Sequence, residues 1–106
     1  MFVDLRITIC NWNERGVIMP TISMFYGILM KMYREQGGKH KVPHVHAEYA
    51  DYEAVFDFDG NLLEGELPRK QRKYVEAWIL LHEEELHANW KLLQNGEPFF
   101  KIRPLQ

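Results

Sequence analysis

Apolar and polar residues alternate along residues 44–67, HVHAEYADYEAVFDFDGNLLEGEL, with two interruptions. Asp59-Gly60 is a strong short-range hairpin signal, because both residues tolerate the positive φ of a two-residue loop; Ala50-Asp51 is a weaker one. Two hairpins in succession predict a three-stranded antiparallel meander. Pairing Tyr49 with Tyr52 sets Ala47 against Ala54 and Val45 against Phe56, and across the second turn Phe56 meets Leu63 and Tyr52 meets Leu67. These residues form an apolar face. The period of two then sends His44, His46, Glu48, Glu53, Val55, Asp57, Leu62, Glu64 and Glu66 to the other, polar face.

Residues 22–33 are apolar on both faces, with Ile22, Met24, Tyr26, Ile28, Met30 and Met32 on one and Phe25, Leu29 and Tyr33 on the other. That pattern predicts a strand buried on both sides or lying at a subunit contact. Residues 34–43, REQGGKHKVP, read as a loop. Residues 68–94 predict one long helix opened by Pro68, whose missing N–H costs nothing in a first turn. Val75, Trp78, Ile79, His82, Leu86, Trp90 and Leu93 make its apolar stripe, which should cover the apolar face of the meander. His82 and Asn89 interrupt that stripe and, as buried polar groups, call for hydrogen-bond partners. Asn95-Gly96 closes the helix, and residues 99–103, FFKIR, predict a short final strand stopped by Pro104.

The predicted fold class is therefore α+β: an antiparallel β-meander packed against one long C-terminal helix, plus a short final strand. At 106 residues, 46% of them hydrophobic, the chain is sized for one core rather than two. The first 18 residues stand apart. Phe2, Val3, Leu5, Ile7 and Ile9 suit an extra strand, but the polar stretch that follows breaks it, and Met19 reads as a natural start preceded by codons that can be purine-rich. Residues 1–18 are accordingly expected to be a translated leader or an extra strand, and residues 19–106 a single α+β domain.

Charge and composition narrow the function classes. A net charge of -2 argues against a protein that coats nucleic acid non-specifically, while leaving room for a local basic patch. The single cysteine, Cys10, cannot form an internal disulfide, which suits a reducing compartment. No apolar run approaches the about 18 residues that a membrane span needs, and the opening residues lack the pattern of a signal peptide. The expectation is a cytoplasmic protein with no membrane association.

Two groups of residues can carry chemistry. His44 and His46 share one side of a strand, about 7 Å apart at the backbone, and the register puts Asp57 opposite His44. Two imidazoles and a carboxylate suit a divalent metal or an acid/base pair, with Glu48 or Glu64 in support; the alternative is a solvated polar face on a one-sided sheet. His40 lies shortly before them, although its flanking Lys39 and Lys41 favour an anion over a cation. Arg69, Lys70, Arg72 and Lys73 crowd the start of the helix, where cations oppose the macrodipole. They suit an anion site or a solvated turn paired with Glu64 or Glu66. Leu80 and Leu81, or the Met-rich strand, are candidates for a contact with a second copy of the chain.

An ordered set of short motifs adds to this. Pro20-Thr21-Ile22-Ser23, Phe25-Tyr26-Gly27-Ile28, Met32-Tyr33, Pro43-His44-Val45-His46-Ala47-Glu48-Tyr49, Gly65-Glu66-Leu67-Pro68, Glu85-Leu86, Asn89-Trp90 and Ile102-Arg103-Pro104-Leu105 together resemble the small bacterial family catalogued as domain of unknown function 4160. The resemblance runs from Met19 to Leu105. Val42 stands where the family often has proline, after an insertion-like GGKHK loop. The resemblance implies a compact α+β domain, a start at Met19, and a partner encoded by a neighbouring gene in a toxin-antitoxin type pair. It implies no catalytic residue. Two functions follow as expectations: a binding module acting through the basic helix start on a protein or nucleic-acid partner, or a metal-assisted or His-based hydrolase or ribonuclease using the histidine-carboxylate face.

Overall fold

The computed structural model describes residues 21–33 and 42–105. The leader or extra strand expected at residues 1–18, together with Met19, Cys10 and His40, lies outside the described residues. Five strands form one antiparallel sheet in sequence order: β1 (Thr21–Phe25), β2 (Ile28–Lys31), β3 (His44–Tyr49), β4 (Tyr52–Asp57) and β5 (Leu62–Gly65). Two helices follow, α1 (Arg69–Leu81) and α2 (Glu83–Gln94). The α+β class holds.

The β3–β4 hairpin has the expected register throughout, from Tyr49 opposite Tyr52 to His44 opposite Asp57, about a turn at Ala50 (φ 51) and Asp51. The second hairpin differs in a compensated way. Its loop is one residue longer than a two-residue turn, since the Asp57 N–H donates to Asn61 O (3.0 Å) and Phe56 pairs with Leu62. A bulge between Val55 and Phe56 absorbs the extra residue, so Val55 faces Glu64 and Ala54 faces Gly65 as the simple register requires. Leu62 consequently moves from the polar to the apolar side, where it packs against the core.

Residues 22–33 are a hairpin and not one strand. Tyr26 (φ 50) and Gly27 (φ 77) both take positive φ, as a two-residue turn between twisted strands demands, and Phe25 pairs with Ile28. Tyrosine is an unusual occupant of that conformation; its ring stacks on Tyr74 of α1 with centroids 4.5 Å apart, which offsets the strain.

One face of the sheet carries Phe25, Ile28, Met30, Met32, Val45, Ala47, Ala54 and Phe56, all buried, and the helices cover it with Val75, Trp78, Ile79, Leu86 and Leu93. Fully burying a side chain of this size contributes about 1.5–3 kcal/mol, so this layer supplies the fold's main driving force. Trp78 meets Phe25 at 5.4 Å and donates from Nε1 to Arg103 O (2.9 Å).

The long helix is broken. At His82 (φ -122, ψ 28) the N–H is shared between Trp78 O and Ile79 O, and the next helix begins with the Leu86 N–H donating to His82 O. The bend lets Trp78 pack on β1 while Trp90 reaches the start of β3. α2 ends as its Asn-Gly predicts: the Gly96 N–H donates to Leu93 O and the Glu97 N–H to Leu92 O, the paired bonds of a Schellman closure.

The final segment is extended but is not a strand. Ile102 is buried and its N–H donates to Ile22 O (2.8 Å), the backbone bond that joins this segment to β1. Asn89, fully buried, holds the same segment from the helix side: its Nδ2 donates to Phe100 O (2.7 Å) and its Oδ1 accepts from the Phe100 N–H (2.9 Å). The polar interruption of the apolar stripe is thus a clamp on the C-terminal segment.

Candidate functional site

The pleat places Lys31, His46, Val55 and Glu64 side by side across four strands, on the face opposite the one that carries Met30, Ala47, Ala54 and Phe56. Glu48 lies next along β3 and pairs with Lys31 (Nζ to Oε1, 3.1 Å). His46, Glu53, Ala54, Val55, Glu64 and Gly65 surround a cavity of about 150 Å³. Gly65 (φ 78) is indispensable to its wall, because a Cβ there would stand 2.1 Å from the carbonyl oxygen of Glu53.

The three residues picked from sequence separate at this point. His44 and His46 lie together, with ring centroids 5.2 Å apart. His44 is only 1% exposed; its Nδ1 is 2.8 Å from Val42 O, and its ring packs against Trp90 at 5.1 Å. His46 stacks on Tyr33, centroids 4.0 Å apart and planes within 8°. The histidines are therefore set in an aromatic cluster, in place of the open polar face that alternation alone suggests. Tyr33, Trp90 and Phe58, which packs on Trp90 and His87, complete it. Sequence reasoning placed Tyr33 on a buried strand and Trp90 in the apolar helix stripe, and the helical spacing of Trp90 gave no sign that it would reach His44.

Asp57 does stand opposite His44, but its carboxylate is committed to the turn. Oδ1 accepts from the N–H groups of Asp59 (2.9 Å) and Asn61 (2.8 Å), and Oδ2 from Asn61 Nδ2 (3.0 Å). Burial by itself would raise the Asp57 pKa; the bonds from Asn61, Asp59 and Gly60 outweigh that effect and hold it below the ordinary carboxylate range. Among the described residues no three His, Cys, Asp or Glu side chains gather as ligands for one metal ion. The residues that accompany His46 at the cavity are Glu53 and Glu64.

The basic group is on a different surface. Arg69, Lys70 and Lys73 are exposed on the first two turns of α1, and Arg72 is partly buried. Arg72 pairs with Glu76 (Nε to Oε2, 3.0 Å), one helical turn on. The first turn of α1 contains no acidic residue, and its N-cap, Pro68, offers no side-chain acceptor. On the helix stripe His82 meets Glu85 through Nδ1 and Oε1 and packs beside Trp78 at 5.6 Å, which satisfies the histidine. No helix among the described residues is long and apolar enough to cross a membrane.

No curated protein and no solved structure matches the chain. A family match covers residues 27–91, which include β2 to β5, all of α1 and most of α2. This span holds the histidine pair, the cavity and the basic helix start together, and it is more than half of the sequence. The chain belongs to the family described as domain of unknown function (DUF4160).

Proposed function

We propose that this chain is a binding module, one component of a toxin-antitoxin type pair, that engages an acidic partner protein from a neighbouring gene or a nucleic acid through Arg69, Lys70, Arg72 and Lys73. The observation that carries this reading is the start of α1: three exposed cations and a fourth beside them, with no acid in the first turn. Cations there are locally unfavourable, so a bound anion both neutralises them and accepts the unpaired N–H groups of the first turn. Association with the neighbour-gene protein or with a short RNA should fall at least about tenfold between about 50 and 200 mM salt, and Lys70→Ala and Lys73→Ala should each lower the salt slope. Binding that ignores ionic strength would remove this reading.

A second reading, a His-based hydrolase or ribonuclease, is favoured by the cavity at His46, Glu53 and Glu64. A carboxylate beside an imidazole can orient it and support its role in proton transfer. His46→Gln should then abolish turnover of an RNA substrate while the melting temperature stays within a few degrees of the parent, about the shift of a mild surface change. Undiminished turnover in that variant would discard the cavity as a site.

A further inference from the structure

Where the β1–β2 turn meets α1, aromatic rings lie beside the basic helix start. Tyr26 stacks on Tyr74, with centroids 4.5 Å apart and planes inclined by 22°, yet it remains 47% exposed. Tyr49 reaches the same turn, its ring 3.6 Å from where a Cβ on Gly27 would stand, and its cross-strand partner Tyr52 is exposed. Four of the chain's five tyrosines thus lie at one corner. Around α1, Lys73, Ala77, Lys70 and Tyr74 follow one another within about 100° of the circumference, and Lys70 stands about 6 Å before Tyr74 along the axis. Arg72 is held by Glu76, which leaves Arg69, Lys70 and Lys73 as the exposed cations of this surface. Stability alone does not ask for a tyrosine at φ 50, where glycine or asparagine would be unstrained. What the tyrosine adds is a ring held at the surface.

We propose that this corner binds single-stranded nucleic acid: an unpaired base packs against exposed Tyr26, which Tyr74 backs, while Lys70 and Lys73 hold the neighbouring phosphates. The inference rests on the proposed role of the α1 cations and chooses between their two partners. An acidic protein surface would satisfy the lysines and leave the tyrosines without a use. A base offers the flat π-face that an aromatic ring fits, next to the phosphates that the lysines fit. In a duplex the base faces are covered by their neighbours, so the strand that binds is single. Stacking tolerates every base, so the corner selects for strandedness more than for sequence.

The test is fluorescence anisotropy of the full chain with three labelled probes: a single strand of about 12 nucleotides, within the site sizes of small single-strand modules, the same sequence as a duplex, and polyglutamate. Each is titrated at about 50 and 200 mM salt. The single strand should bind at least about fivefold more tightly than either other probe. Tyr26→Gly, which suits the positive φ and so keeps the turn, should weaken single-strand binding at least about fivefold, the low end for one stacked base, with the salt slope unchanged. Tyr26→Phe, which restores the ring, should recover the parent's affinity. Lys70→Ala should lower the salt slope instead. A duplex or polyglutamate bound as tightly as the single strand, or a Tyr26→Gly variant that binds like the parent, would overturn the inference and leave the cationic site of the proposed function standing. Binding of every probe that ignores salt would remove that site and this inference with it. Equal melting curves for parent and variants confirm that folded proteins are compared.

Discussion

Asp57 pairs across the hairpin with His44, where alternation along the strands puts it, yet its oxygens close the loop that follows. Position in a register is set by the backbone; what a carboxylate does there is set by which N–H groups lie nearest. Because its folded pKa is depressed, Asp57 contributes stability above its unfolded value, near about 4, and that contribution is lost as pH falls through the folded value. The bonds it accepts are exposed and screened by solvent, so Asp57→Ala should cost about 0.5–1 kcal/mol at neutral pH. Urea unfolding of parent and variant should show the gap narrowing only in the acid range. A gap that is constant down to pH 2, about two units below the unfolded value, would place the effect elsewhere.

At the scale of the element, β5 depends on a residue that has no side chain. Gly65 faces Ala54, and a Cβ would meet backbone atoms that cannot move without breaking the β4–β5 ladder. Gly65→Ala should destabilise the fold by at least about 2 kcal/mol, combining steric overlap with positive φ. Thermal unfolding will show it, and a variant as stable as the parent would mean that β5 can shift. The helices show how far a periodic pattern carries. The stripe from Val75 to Leu93 contains five of the six buried residues of the two helices, the sixth being Asn89 on its edge, while its His82 and Trp90 are only partly buried; the break at His82 has no glycine or proline to announce it. Trp78, before the break, packs on Phe25 of β1, and Trp90, after it, packs on His44 of β3. The turn at Tyr26-Gly27 was hidden for a related reason: apolar residues continue through it, and what makes Tyr26 acceptable there is a ring on a distant helix.

The whole molecule is closed by its last described residues. Ile102 bonds β1, Arg103 O accepts from Trp78, and the Phe100 backbone satisfies Asn89. Removing everything after Gly96 would leave Asn89 and the Trp78 indole without these partners inside an apolar layer and expose Ile22. Each buried group left unsatisfied costs about 1–3 kcal/mol, so the truncated chain should lose several kcal/mol, a large part of a typical domain's stability. Circular dichroism melting is the measurement, and an unchanged transition would show that the segment is dispensable. The milder Asn89→Ala should lie between the two.

What the sequence by itself determined was local and periodic. Side-chain alternation with a turn at Ala50-Asp51 specified the β3–β4 register to the residue, whereas on β4–β5 the simple register holds at Ala54–Gly65 and Val55–Glu64 but Phe56 meets Leu62 in place of the expected Leu63. Helical spacing named the covering layer. Tertiary structure decided the rest. Long-range aromatic contacts turned His44 and His46 from a solvated face into part of a packed cluster. Hydrogen bonds made by the loop diverted Asp57, and a carbonyl on the neighbouring strand made Gly65 a wall of the cavity that brings His46, Glu53 and Glu64 together. Spacing along a chain conveys which face a residue occupies; what stands above that face depends on segments far away in sequence, and only the folded packing brings them there.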